Sequence, residues 1–322
     1  MNRREFTKLT LASAPAIAFL SSCTTKETKM DATQTSLMTK SWFNGVQFGV
    51  QPFCYHDMPA PEYNPANRPR LIQKIKKNGF GLAELHAAWC EPTFKGPGVS
   101  PAEAREKLRA WRVGAPADYY QNIRKEFDDA GIAILNIYVD MDGSGIPDNG
   151  IAYSDAEIDA TFKAAKILGA GACVGSEGLK FQQRLAPFAE KNDMINCLHN
   201  HANVSDPDAI TTEDSFLKGF AISPNMMATF DTRHYTAANG DCLTFLNKHH
   251  ERIRNIHLGN RKKNQGRSAP FGEGDTPIKE ILVMIRDNHW PIPVILEFEH
   301  GTVHNSTTEV QLTFDYCKKA LS

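Results

Sequence analysis

Eight short apolar runs, separated by helix-patterned segments, constrain this chain more than any other feature. They are VQFGVQPF (46–53), GLAELHAA (81–88), IAILNIYVD (132–140), GACVGS (171–176), MINCLHN (194–200), NMMATFD (225–231), IRNIHLG (253–259) and IPVILEFE (292–299). Apolar runs this short read as buried strands. Between them, RLIQKIKKNGF ends at Gly79, a helix stop. DAEIDATFKAAKILGAG starts on an acidic cap at Asp155 and ends near Gly169, and TPIKEILVMIRDN offers Thr276 as N-cap with Pro277 in the first turn. Alternating strands and helices build parallel β-α units. Eight units in 322 residues predict an α/β fold, a single-domain (β/α)8 TIM barrel over 42–322. A doubly wound open sheet competes, but no Gly-x-Gly-x-x-Gly follows an early strand.

The N-terminus stands apart from this pattern. NRREFTK places Arg3 and Arg4 before LTLASAPAIAFL, an apolar stretch too short to span a bilayer as a permanent helix. The pair resembles a twin-arginine export signal, and LSSC, ending at Cys23, resembles a lipobox. A plain secretory signal is the competing reading. The expected layout is an export signal with lipobox over 1–23, a flexible tether over 24–41, and the barrel beyond. This places the protein in the cell envelope or periplasm, touching the membrane only through a lipid on Cys23.

With 36 basic and 37 acidic residues, the formal net charge of −1 gives no surplus for nucleic acid. Six further cysteines form no Cys-x-x-Cys pair, so neither a zinc ribbon nor a redox dithiol is indicated. Cys54, Cys90, Cys173 and Cys197 lie in or beside apolar runs and read as buried thiols, with a disulfide open to an exported chain. The stretch Trp89–Ala117 is too long for a simple connection. It would form a wall or lid over a site, with Trp89 and Trp111 as sugar-stacking platforms; packing of both against the barrel is the alternative.

In such a barrel, polar residues at the C-terminal strand ends are the catalytic candidates. Here they are Glu84 and His86, Glu177, His199 and His201, Asp231 and His234, His257 and Arg261, and Glu297 and Glu299. Burying that many ionisable groups on one rim is costly unless a cation joins them. Mixed His and carboxylate ligands suit one divalent transition metal, Mn, Zn, Co or Fe. Gly272–Asp275, a Gly-rich turn before a helix, can bind phosphate or simply cap the last unit.

FDTRHYTAANGD, RIRNIHLGN, PFGEGDTPIKEIL and PVILEFE, with GLAELHAA near the front, resemble the xylose isomerase-like TIM barrel superfamily of sugar-phosphate isomerases and epimerases. The resemblance implies a metal on Asp231, His257 and Glu297, with a fourth ligand from strand five. Ketose epimerases carry Glu there; this chain has His199, followed by Asn200 and His201. Glu299 is the substitute for Glu297 if the register differs, and Glu177 the fallback for His199. The resemblance further implies substrate contacts from His234 and from Arg261 or Arg267. His201, Glu84, His86 and Trp89 are further candidates to line the substrate site.

The implied activity is that of a metal-dependent sugar isomerase or epimerase working by proton abstraction next to a carbonyl, with Glu297, His199 and His234 as catalytic groups. Losing one Glu weakens symmetric two-base epimerisation. A metal-dependent lyase or dehydratase, eliminating across a 3-keto-glycoside or an inosose, is the alternative. A non-catalytic sugar-binding lipoprotein and an endonuclease-IV-type phosphodiesterase are more distant ones. The expected partner is a small carbohydrate, with a homo-oligomer left open.

Overall fold

The computed structural model describes residues 41–59, 64–144 and 151–322. The export signal and all of the tether except Ser41 lie outside the described residues. Ser41 belongs to the fold: it is buried, and its hydroxyl accepts a hydrogen bond from Gly81 N at 2.6 Å.

Each apolar run holds one barrel strand: β1 (Val46–Val50), β2 (Leu82–His86), β3 (Ala133–Tyr138), β4 (Ala172–Gly175), β5 (Ile195–His199), β6 (Met226–Asp231), β7 (Ile253–Leu258) and β8 (Val294–Leu296). They pair in parallel in chain order, and β1 pairs with β8 to close the barrel. A two-residue strand, Trp42–Phe43, adds an antiparallel turn onto β1.

The helices are α1 (Arg68–Lys77), α2 (Pro101–Gly114), α3 (Ala117–Ala130), α4 (Asp155–Ile167), α5 (Leu179–Lys191), α6 (Glu213–Phe220), α7 (Thr232–Ala237), α8 (Cys242–His249), α9 (Ile278–Asp287) and α10 (Ser306–Leu321). Their apolar faces pack on the outer faces of the strands in the main core, around residues such as Phe48, Phe127, Phe162 and Phe230. Among the described residues no helix is long and apolar enough to cross a membrane. The six described cysteines are free and buried.

Side chains alternate across each strand, so residues two apart share the barrel interior. At its floor lie Leu82, Ala133, Leu135 and Ile295, and, on the other side, Ala172, Val174, Ile195 and Cys197. Above them runs a polar layer: Asn136 donates to Glu84 (3.0 Å) and Asn255 (2.9 Å), and Thr229 donates to Asn255 (2.8 Å). One step higher, two residues on from Cys197, Thr229, Asn255 and Ile295, stand His199, Asp231, His257 and Glu297.

The long segment after β2 forms α2 and is clamped to the barrel wall. Arg112, almost wholly buried, donates to both carboxylate oxygens of Glu91 (2.7 and 2.8 Å) and to Glu157 on α4 (3.3 Å). Trp89 is 1% exposed and sits in the main core; Trp111 packs edge-on against Tyr119 at 5.0 Å. Neither lines the cleft described below, so the packing alternative holds for both tryptophans.

Candidate active site

His199, Asp231, His257 and Glu297 are all buried, and one ligand atom from each falls within 4.8 Å of every other. Pairing puts Thr229 opposite His199 and His257 opposite Asp231, while Glu297 N donates to Leu258 O at 3.0 Å. Four adjacent strands thus deliver one ligand each to the same rim. The register keeps Glu297, not Glu299, in the set.

Outer partners set how each ligand points. His257 Nε2 lies 2.7 Å from Glu84, which leaves Nδ1 facing the cluster, 2.8 Å from Glu297 Oε2. His199 Nδ1 is 3.0 Å from the Ser176 hydroxyl, which leaves Nε2 facing Asp231 at 3.6 Å. Asp231 Oδ1 accepts from His234 N (2.9 Å), capping α7, and its Oδ2 accepts from Arg233 Nε (2.9 Å). Asn200 pins β5 to β6, donating to Asp231 O (3.0 Å) and accepting from Asp231 N (2.8 Å).

His199 Nε2, His257 Nδ1 and Glu297 Oε2 are buried polar atoms without an aligned hydrogen bond. Buried polar atoms whose charged neighbours are out of hydrogen-bond alignment are rare in a folded interior. That they converge, and that they are two imidazole nitrogens and a carboxylate oxygen beside Asp231, fits a divalent transition metal. The cluster can hold a metal ion.

Charge is tightly compensated. Burial pushes the Asp231 carboxyl up, but Arg233, His234 and His199 outweigh it and hold it well below the usual carboxylate range. Glu297 is likewise lowered: burial is overcome by Arg233 and His257. Burial depresses His234 well below an ordinary histidine. Its Nδ1 faces Arg261 Nη1 at 2.9 Å. A guanidinium only donates, so that nitrogen accepts and the proton sits on Nε2.

The cluster opens into a cleft of about 200 Å³ lined by Gln51, Phe53, His86, Tyr138, Asp140 and His201, together with His199, Arg233, Glu297 and Glu299. The His201 ring stands 4.7 Å from that of His234 and 5.0 Å from that of His199. His86 stacks on Tyr138. The other expected substrate contacts lie elsewhere. Glu84 is fully buried beneath His257. Arg261 is engaged by His234 and the Gly266 carbonyl (2.7 Å). Arg267 is exposed and off the cleft, and Trp89 is in the core. Glu177 turns away to accept from Met141 N (2.7 Å) and Gln182 (3.1 Å), and burial with Asp140 nearby pushes it up to about 8. In the Gly-rich turn, Asp275 accepts from Lys263 N (2.9 Å), as befits a structural turn.

Arg233, Ser176, Tyr138 and Asp140 are not among the sequence candidates. The last three close the third and fourth apolar runs, the same strand-end signal that marks the ligands. Arg233 carries no signal, since a charged residue between Thr232 and His234 looks like a solvated helix position.

Fold and rim together define a (β/α)8 barrel with a buried His/carboxylate cluster at the C-terminal strand ends. A family model described as xylose isomerase-like TIM barrel matches residues 72–320, and the chain belongs to that family. No curated protein matches the chain. Among solved structures it is similar to 3-keto-D-glucoside 4-epimerase of E. coli (11% identity, 85% of this chain and 99% of that one, TM-score 0.58). It is also similar to an L-ribulose 3-epimerase (14%, 86% and 94%, 0.58). A third is the probable 3-DHS dehydratase AsbF of Bacillus anthracis (13%, 83% and 97%, 0.58). At these identities the likeness is one of fold.

Proposed function

We propose that the protein is a metal-dependent isomerase or epimerase that removes a proton next to a carbonyl of a sugar or keto-sugar. The observation that carries this is the convergence of His199 Nε2, His257 Nδ1, Glu297 and Asp231 at the base of the cleft, with three of those ligand atoms lacking an aligned hydrogen bond. A divalent cation held by these four residues would act as a Lewis acid, polarising the substrate carbonyl and lowering the pKa of the adjacent C–H. Glu297, lowered and therefore ionised, is the carboxylate base. His234, whose ring stands beside that of the cleft-lining His201, is neutral with its proton on Nε2 and offers a hydrogen-bond donor there, and Arg261 fixes that tautomer. His201, which lines the cleft, would contact substrate hydroxyls. Epimerases and a dehydratase among the structural relatives support this class of chemistry.

A second reading, elimination by a lyase, is favoured by one feature. His199 takes the strand-five place, so Glu297 is the single Glu in the ligand set, facing a histidine donor rather than a second carboxylate. A single carboxylate base suits removing one proton and passing that same proton to the leaving group. The envelope setting proposed from residues 1–23 would suit glycosides as substrates.

Metal analysis of protein purified without chelators tests the common premise; no stoichiometric metal, even after reconstitution with Mn2+, Zn2+ or Co2+, would sink both readings. Incubating free ketoses and 3-keto-glycosides in D2O separates them. Deuterium in an intact sugar supports isomerisation, whereas a released aglycone or water with an unsaturated product supports elimination. His199→Ala should lose the metal.

A further inference from the structure

We propose that Arg233 is a resident counter-ion of the ligand set, holding Asp231 and Glu297 together without a metal and weakening the grip on a dication when one is bound. This rests on the metal reading above and extends it to a residue which that reading does not use.

Arg233 is 2% exposed. Its guanidinium pairs with three carboxylates: Nε with Asp231 Oδ2 at 2.9 Å, Nη2 with Glu297 Oε2 at 3.3 Å and Nη1 with Glu299 Oε2 at 2.6 Å. Glu297 Oε2 is the same oxygen that faces His257 Nδ1, so Arg233 reaches a ligand atom itself. The fold makes room for this. A Cβ on Gly259 would lie 2.6 Å from Arg233 Cδ and 2.5 Å from Glu297 O, so the residue after β7 has to be glycine for the arginine stem to pass. Among the described residues that line the cleft, Arg233 is the only Lys or Arg, against Asp140, Glu297 and Glu299.

The energetic consequence has a sign. Two buried carboxylates brought together without a cation repel, and a planar guanidinium bridging them removes that repulsion. Each carboxylate oxygen has a second lone pair, so a metal can bind without expelling the arginine. The dication then sits beside a fixed positive charge in a poorly screened site, and that repulsion lowers its affinity. A lysine keeps the charge but cannot fork across several carboxylates.

The test compares wild type, Arg233→Met and Arg233→Lys. Thermal melts follow exhaustive chelation, and Mn2+ and Zn2+ affinities come from competition with a chromophoric chelator. The expected result is a chelated Arg233→Met protein that melts several degrees below chelated wild type, yet binds Mn2+ on the order of 10-fold more tightly. Arg233→Lys should fall between. Equal melts of the chelated proteins, or weaker Mn2+ binding by Arg233→Met, would overturn the proposal. If Arg233→Met does not fold after chelation, refolding with Mn2+ decides. Recovery of the native circular dichroism only with Mn2+ supports the counter-ion role, and failure with and without Mn2+ overturns it. If wild type binds neither ion, the metal reading falls, and the chelated melts alone judge Arg233.

Discussion

His199 can offer Nε2 to the cluster only while its proton sits on Nδ1. Ser176, whose hydroxyl is 3.0 Å from Nδ1 and 2.5 Å from the Tyr138 hydroxyl, can hold that state by accepting from Nδ1 while donating to Tyr138. An imidazole ligand needs such a partner more than a carboxylate does, because a ring flip or tautomer change removes the ligand atom. Ser176→Ala should therefore weaken metal binding by about 10-fold or more while leaving the circular dichroism and chelated melt near wild type. Tyr138→Phe, one bond further out, should do less. Chelator competition reads both, and an unchanged affinity in Ser176→Ala would remove serine from the account. The ligands themselves are legible in the sequence because a histidine or acid ending an apolar run is conspicuous. Ser176 ends an apolar run as the ligands do, but a serine there does not mark a metal site until the fold sets it against an imidazole.

The elements are legible for a related reason: burial on both faces of a parallel strand writes an unbroken apolar run, and all eight runs hold strands. Helix starts are harder. Asp155 reads as the cap of α4, but the cap is Ser154, whose side chain receives Glu157 N while Glu157 receives Ser154 N at 2.8 Å. Thr276 reads as the cap of α9, but its hydroxyl instead accepts from Arg261 N at 3.3 Å, holding the loop after β7. Both starts are displaced by contacts that a one-dimensional pattern does not carry. Asp57, in the loop after β1, makes another such contact. It takes a hydrogen bond from Ser306 N (3.2 Å), a shorter one from the Ser306 hydroxyl, and Lys74 Nζ at 2.9 Å, tying α1 to the start of α10. Burial works to raise its pKa, but the Ser306 and Lys74 bonds hold it down to about 2. A carboxylate lowered on folding contributes stability above its unfolded value near 4, and that contribution fades as pH falls toward 2. Asp57 is about a third exposed, so screening limits the gain to about 1 kcal/mol. Urea titrations of wild type and Asp57→Asn should show a gap that is constant from pH 7 to 5 and narrows steadily below pH 4; a gap that persists unchanged at pH 3 would refute the tie.

At the scale of the whole molecule, the barrel closes where β1 meets β8, and that seam lies directly beneath Glu297. Gly49 is paired with Ile295, two residues before Glu297. A Cβ on Gly49 would lie 2.6 Å from Ile295 Cδ1, 2.9 Å from Leu82 O and 3.1 Å from Leu82 Cγ. Ile295 and Leu82 belong to the apolar floor of the barrel, so the missing side chain is what lets that floor fill without spreading the seam. Gly49→Ala should destabilise by about 2 kcal/mol through overpacking. Metal binding should weaken along with stability, because any shift of β8 carries Glu297 with it. Ile295→Val in the same chain removes the methyl in closest contact, so the double variant should recover part of both losses, although Leu82 O remains. The comparison of single and double variants isolates the contact, since side chains that touch are expected to couple. Losses that simply add would mean that Gly49 acts through backbone freedom alone. Compensation in stability without compensation in metal binding would uncouple the seam from the site above it.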